Sequence, residues 1–429
     1  MDTVATNVWQ KSKLLVKGLL IGGLVLLLLI PAYFVQNVIS EREARQKEAF
    51  TEVSSKWAGS QNITGPVLVL PYNETFTSAN GQTTILKRLS YILPDKLTIE
   101  SEVKPEERHR GIFQVMLYSS VIRLNGKFNT IPLQQLKLDP SQVLWNEAYI
   151  CMELADSRGL KEEIKVAWND SSVTLNPSLV DNAVMKEGFS APVIVSADKE
   201  IQFSSSISIN GSEQLLFTPV GKETTVKLSS AWPDPSFTGG QLPDYRISDS
   251  GFVATWKSLA HTRNFPQAWK ESKYNLQSAS FGADLFIPVN GYQKTMRSVK
   301  YAILCILLTF AAFFIIETVN KKSVHPFQYA LIGLALILFY TLLLSFSEYT
   351  GFNAAYVIAS VATVGLIAWF VKGILQSSKL TTLLGVILAL MYSYIFTILQ
   401  LQDYSLLLGS IGLFLTLAVI MHFSKKIQW

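Results

Sequence analysis

Residues able to do chemistry are few in this chain and widely scattered. The four histidines, His109, His261, His325 and His422, share no ligand spacing. Cys151 lies in the region of soluble composition and Cys305 inside an apolar run, so they fall in different compartments and are not expected to pair. No resident metal and no cofactor is therefore expected. A hydrolase needs a nucleophile beside a base. No G-x-S-x-G elbow, H-E-x-x-H helix or Gly-rich phosphate loop is present. His109 sits in Glu106-Glu107-Arg108-His109-Arg110, read as a solvated charged loop, and His261 has no partner nearby in sequence. The residues thus point to a protein that is not an enzyme.

Two other concentrations stand out. Glu317 and His325, and Glu348 and Asp403, border long apolar runs. Ionisable groups are expensive at membrane depth, so such residues pair, relay protons or bind ions. None lies in the middle of a run, which favours a compact helix bundle over a transport path. Gly365 and Gly385 are expected to allow close helix packing, and Tyr340, Tyr392 and Tyr394 to hydrogen-bond between helices or sit in aromatic belts. The second concentration is Ala231–Pro243, AWPDPSFTGGQLP, in which three prolines and two glycines fix the backbone while Trp232 and Phe237 need somewhere to pack. It reads as a rigid crossover over a β core or, alternatively, as a preformed platform for a partner, with Pro233 and Pro235 in its frame.

The elements that position these residues follow from hydropathy. About 20 apolar residues in a helix span a bilayer. One such run extends from Leu14 to Phe34, and five more cover Val299–Ile316, Phe327–Ser345, Phe352–Val371, Leu380–Leu399 and Leu406–Phe423. The first continues too far, without a small-x-small cleavage site, for a removed signal peptide, and reads as a signal anchor. Lys11, Lys13, Lys17, Lys321, Lys322, Lys372, Lys379, Lys425 and Lys426 all fall on one side if the N-terminus is cytoplasmic. Both termini are then cytoplasmic, and the region between the first run and the rest lies outside. Net charge is only +5, and much of the excess lysine is juxtamembrane. No basic face remains for nucleic acid.

Residues 36–63 read as a helical stalk, with acid-to-base i,i+4 pairs Glu41–Arg45, Glu43–Lys47 and Glu52–Lys56 and an apolar face of Ala49, Phe50, Val53 and Trp57. Residues 64–298 then show strand patterning. Ile201, Phe203, Ile207 and Ile209 alternate with polar residues, Gly111–Leu124 is a long β-rich run, and Asn80-Gly81, Asn125-Gly126 and Asn210-Gly211 predict hairpin turns. The expected fold is a membrane α-helical bundle plus a mainly β, sandwich-like outer domain or two related β halves, with a seam at Asp156–Asn182. Residues 299–429 form the bundle.

The block ISEREARQKEAFTEVSSKWAGSQNITGPVLVLPY, the block SSAWPDPSFTGGQLPDYRISDSGFVATW and the membrane blocks HPFQYALIGLALILFYTLLLSFSEYTGFNAAY and LQDYSLLLGSIGLFLTLA resemble the CreD family of bacterial inner-membrane proteins over nearly the whole chain. The tail His422–Trp429 departs from the family's ending but keeps two lysines. The resemblance implies an envelope-integrity protein of the inner membrane, under two-component control and linked to tolerance of colicins, detergents and β-lactams, with no catalytic residues. It adds weight to Trp232, Pro233, Pro235, Phe237, Gly251, Phe252 and Trp256 outside, and to Glu317, His325, Pro326, Glu348 and Asp403 in the membrane. The expected partners are the lipid bilayer and an envelope component or another membrane protein. The alternative is a transporter or flippase-like protein that uses the bundle.

Overall fold

The computed structural model describes residues 2–77, 83–178, 185, 188–271, 274–285, 290–320, 324–401, 407–412, 414, 418 and 421, with side chains of 2–15 and 290 left aside. The chain divides into two units, Met1–Glu48 with Pro288–Trp429, and Ala49–Ile287. The first helix, α1 (Asp2–Trp57), contributes to both, so the first span and the stalk are one continuous helix that carries Pro31 inside it. All three predicted stalk pairs form, at 2.6 Å for Glu41–Arg45, 3.6 Å for Glu43–Lys47 and 2.8 Å for Glu52–Lys56. Exposed pairs of this kind add only a few tenths of a kcal/mol each, about 0.3–0.5.

The membrane unit contains α3 (Asn290–Lys300), α4 (Ala302–Val319), α5 (Pro326–Thr350), α6 (Phe352–Leu375) and α7 (Ser378–Gln400). Among the described residues five helices are long and apolar enough to cross a membrane: α1 and α4 to α7. The last predicted run, Leu406–Phe423, is described only in part, with residues 407–412 helical.

In the other unit, two sheets enclose one apolar core. The first sheet runs β13 (Ser236–Gly239), β17 (Phe281–Asp284), β11 (Gln214–Phe217), β1 (Gln61–Thr77), β5 (Tyr149–Leu154), β9 (Gly188–Pro192) and β8 (Asn176–Ser178). β2 (Thr83–Ile92) also pairs with β1, and β16 (Ala268–Lys270) with β2. The second runs β14 (Asp244–Ser248), β15 (Gly251–Leu259), β12 (Glu223–Ser230), β3 (Lys96–Arg110), β4 (Phe113–Phe128), β10 (Ile201–Ser212), β6 (Lys165–Trp168) and β7 (Ser171–Thr174). A short helix, α2 (Leu133–Leu136), lies between β4 and β5. The alternation in β10 holds: Ile201, Phe203, Ile207 and Ile209 are all buried.

Several local expectations are corrected. Asn125-Gly126 and Asn210-Gly211 are not turns but lie inside β4 and β10. A side chain at Gly126 would meet the Phe203 ring and the Lys96 carbonyl, and one at Gly211 would meet the Tyr118 ring. These glycines serve close approach, not chain reversal. The turn between β3 and β4 is Gly111-Ile112, where Arg110 pairs with Phe113 and Gly111 adopts φ +63°. Asn80-Gly81 lie outside the described residues, although the flanking β1 and β2 do pair, ending at Thr77 and Thr83. Glu106–Arg110 is the outer end of β3 and not a loop. There Arg110 meets Glu52 at 3.1 Å and the Arg108 guanidinium lies 5.5 Å from the Trp57 ring centre, so the charge cluster holds the end of α1. Asp156–Asn182 is not a seam between halves: β6 and β7 extend one sheet and β8 the other, over a shared core.

Two predictions follow from this packing. Gly211→Ala should destabilise the protein by about 1–3 kcal/mol through overpacking, and a thermal-unfolding scan should show a lowered midpoint. Gly240→Ala should leave it unchanged, since a Cβ there meets nothing within 4 Å. The second concerns Asp156, whose carboxylate accepts from Arg158 at 2.6 Å and from the Gly59 amide at 2.8 Å. Arg158 beside it holds the carboxyl down to about 2, below its ordinary 3.8. A carboxyl lowered on folding stabilises the fold above its unfolded value and loses that contribution as it protonates. Stability should therefore fall as pH drops from about 4 to about 2, and Asp156→Asn should flatten that limb of the curve.

Candidate functional site at the two ends of the first helix

A helix that is apolar all round does not reveal from its sequence which side meets neighbours. Between Lys17 and Arg42 the buried positions of α1 are Val25, Leu28, Ala32 and Ile39, spaced three, four and seven apart on one face. Leu28 fits where Gly333 of α5 lacks a side chain, and the Phe310 ring of α4 closes the same spot. The stripe is bounded by two cations on its own face, Lys17 and Arg42. They stand 25 residues apart, which is about 37 Å of helix. A hydrocarbon core is about 30 Å thick, so the two charges can bracket it.

At the first end, Lys17 pairs with Glu317 of α4 and donates to the Val324 carbonyl at 2.7 Å. Glu317 is 5% exposed. Its Oε2 accepts from the Tyr329 hydroxyl at 2.8 Å, and Oε1, which takes Lys17, also accepts from the Val324 amide at 3.0 Å. Tyr329 is itself packed edge-on to Phe310. Every oxygen of a buried carboxylate is thus engaged, which is the condition for keeping charge away from water. At the other end, Arg42 lies 3.8 Å from Glu348 of α5, and the Tyr292 hydroxyl of α3 donates to the same carboxylate at 3.0 Å. Arrangements of this kind anchor one helix to others in a fixed register.

Of the predicted membrane residues, Glu317 and Glu348 are therefore the two receptors for α1. His325 takes a different part. Exposed at the start of α5, its Nδ1 accepts from the Phe327 amide at 3.2 Å while the Gln328 side chain accepts from the His325 amide, a capping box completed by Pro326. Asp403 lies outside the described residues. Gly365 and Gly385 touch nothing that a side chain would displace; glycine allows close packing instead at Gly333, against Leu28, and at Gly412, against the Tyr394 ring. Tyr340 donates to Cys305 at 3.5 Å and Tyr394 to the Leu408 carbonyl. The Tyr392 carbonyl accepts from Tyr356 at 2.9 Å. Both cysteines are buried thiols outside any disulfide. Among the described residues no three His, Cys, Asp or Glu side chains gather as a metal set.

The Ala231–Pro243 segment crosses from β12 in one sheet to β13 in the other and back to β14. Trp232 donates to the Asp234 carbonyl at 2.9 Å, across Pro233, and Pro235 leads into β13. Phe237 packs on Tyr245, Phe252 and Trp256 with ring centres 5.0, 5.7 and 5.8 Å away. Trp256 stacks on Phe281 and donates to the Gln241 carbonyl at 3.1 Å. Gly251 takes φ +129°, and a side chain there would strike the Ser230 carbonyl. These residues form one aromatic brace between the sheets, the crossover reading of the sequence. Sequence reasoning missed Arg42, Tyr292 and Tyr329, and also Arg263. The last is buried without a carboxylate and donates to the Pro219 and Val220 carbonyls at 2.9 and 2.7 Å; burial pulls it down to about 10. Lys17, a cation inside an apolar run, was the available signal.

Breaking one side of a buried ion pair costs about 3–5 kcal/mol, whereas replacing both sides can be neutral. Lys17→Met should therefore lower the thermal midpoint of the detergent-solubilised protein, and the double variant Lys17→Met with Glu317→Leu should recover most of the loss. A coupling below about 0.5 kcal/mol in that cycle would mean that the pair does not hold α1.

The comparisons with known proteins agree with this layout. A family model described as "Inner membrane protein CreD" matches residues 13–429. The inner membrane protein CreD of Escherichia coli strain K12 is 30% identical over 426 residues, covering 98% of this chain and 94% of that one. Among solved structures, a candidate nutrient binding protein from Legionella pneumophila aligns over 57% of this chain and 80% of its own at 8% identity and a TM-score of 0.28, too low to bear on fold or ligand. With a match along nearly its entire length, the chain belongs to the CreD family of inner membrane proteins.

Proposed function

We propose that this multi-pass inner membrane protein is not an enzyme and supports cell-envelope integrity and tolerance to colicin, detergent and β-lactam stress through its β domain, held on the periplasmic side. The observation that carries the reading is the construction of the membrane unit. Glu317 has both carboxylate oxygens engaged within the unit, and Glu348 meets Arg42 and Tyr292 of the same unit, as suits an anchor more than a path for ions. The lysines at the Glu317 end, including Lys17 and Lys372, support cytoplasmic termini. The domain's partner is an envelope component or another membrane protein.

Two measurements test this. Single cysteines placed at residue 379 and at residue 246 should be labelled by a membrane-impermeant maleimide from opposite sides of the inner membrane, residue 246 from the periplasm. In a deletion strain with a detergent or β-lactam phenotype, a chain ending after Arg297 should restore tolerance. A truncated form that is stable and membrane-bound yet inactive would overturn the assignment to the domain and favour an activity of the bundle, such as transport or lipid flipping.

A further inference from the structure

Between α6 and α7 the bundle leaves a groove of about 600 Å³. Small residues create it, with Ser360 and Gly365 on one helix and Ala389 and Ser393 on the other, and Tyr356 and Phe396 mark its mouth at the end nearer Glu348. At Gly365 a Cβ would meet nothing within 4 Å. The groove runs along α6 from Tyr356 to Gly365, nine residues or about 13 Å of helix. It therefore occupies the half of the membrane nearer Glu348 and carries no charged lining residue. In a bilayer such a space is filled by hydrocarbon.

A separate observation lies one turn beyond the mouth. Asn353 and Gln400 sit four residues outward of Val357 and Phe396 on the same helix faces, and the Gln400 amide donates to Asn353 at 2.5 Å. Onto this pair comes Lys294 of α3, whose ammonium donates to Gln400 at 3.2 Å and lies 5.6 Å from the Phe352 ring centre. Among the described residues no carboxylate pairs with Lys294. Arg297 follows at i+3 and Lys300 at i+6, about 60° and 120° round α3 from Lys294, while Tyr292, Thr295, Ser298 and Val299 are buried. A short helix carrying three cations beside a buried face suits a phosphate-rich interface.

We propose that the α6–α7 groove and Lys294 together form a binding site for one anionic glycerophospholipid, with an acyl chain in the groove and the headgroup phosphate on the Lys294 ammonium. The apolar groove alone would take any chain, and the cation at its mouth selects the charge. A Lys at a headgroup contributes about 1 kcal/mol of attraction to anionic lipid, which is about fivefold in affinity.

The full chain in mild detergent, titrated with phosphatidylglycerol or phosphatidylethanolamine and read by native mass spectrometry, should bind the anionic lipid about fivefold or more tightly. Lys294→Glu should remove that preference while leaving chain binding intact, and Gly365→Phe should abolish binding of both lipids. Should Gly365→Phe fail to fold, Ala389→Leu fills the same space more gently. A phosphatidylglycerol with a photoactivatable acyl chain reads the site in the unaltered protein, where crosslinks should fall on α6 and α7 between residues 356 and 397. Equal binding of the two lipids, a preference that survives Lys294→Glu, or crosslinks scattered over all helices would overturn the proposal.

Discussion

An ionised side chain buried among packed helices has no water to turn to, so its partners must come from the protein and must be in place whenever the charge is. That constraint organises the membrane unit. Glu317 is one turn from the end of α4 and is buried; it is tolerable only because Lys17, Tyr329 and the Val324 amide converge on it from three separate segments. Satisfying one carboxylate thereby fixes the rotation of α1, the path of the chain between α4 and α5, and the start of α5. Glu348 imposes the same condition at the other end through Arg42 and Tyr292.

With both ends fixed, the apolar contacts between them need not specify register by themselves. Lipid tails are as apolar as leucine, so burial of Leu28 or Ile39 gives no net hydrophobic preference for protein over lipid. Close packing decides instead, and α1 gains depth at the notch of Gly333, which receives Leu28. Deeper in the bundle, aromatic rings take over the packing: Phe339 meets Tyr340, Tyr356 and Tyr392 at 4.9, 5.3 and 4.6 Å. The Tyr340 hydroxyl bonds to the Cys305 thiol and the Tyr356 hydroxyl to the Tyr392 carbonyl, each on a neighbouring helix, which ties helices together without any buried charge.

The β unit obeys the opposite solvent. There water drives apolar residues into a single core shared by both sheets, and the polar groups drawn in with them are paired locally, as in the chain Thr64–Thr218–Ser280 at 2.7 and 2.9 Å. The central Ala231–Pro243 block is a brace of that core. Its prolines and glycines make sense as the requirements of a strand that leaves one sheet, pairs in the other and returns within a few residues. The aromatic residues that looked available for a partner are mostly engaged with one another and with Phe281.

Periodicity and charge sufficed for several features, because each depends on residues close together in the chain. The spans of α1 and α4–α7 follow from uninterrupted apolar length, the stalk pairs from i,i+4 spacing, and the faces of β10 from alternation. Turn chemistry failed at Asn125-Gly126 and Asn210-Gly211, since a glycine needed for a turn and one needed for a ring to approach read the same in one dimension. The candidate site was half legible. Glu317 and Glu348 announce themselves as carboxylates beside apolar runs, but their partners lie 300 and 306 positions away. Which side of an all-apolar helix meets its neighbours, and which distant cation reaches which carboxylate, are decided by packing in three dimensions, where charges separated by most of the chain come within hydrogen-bond reach.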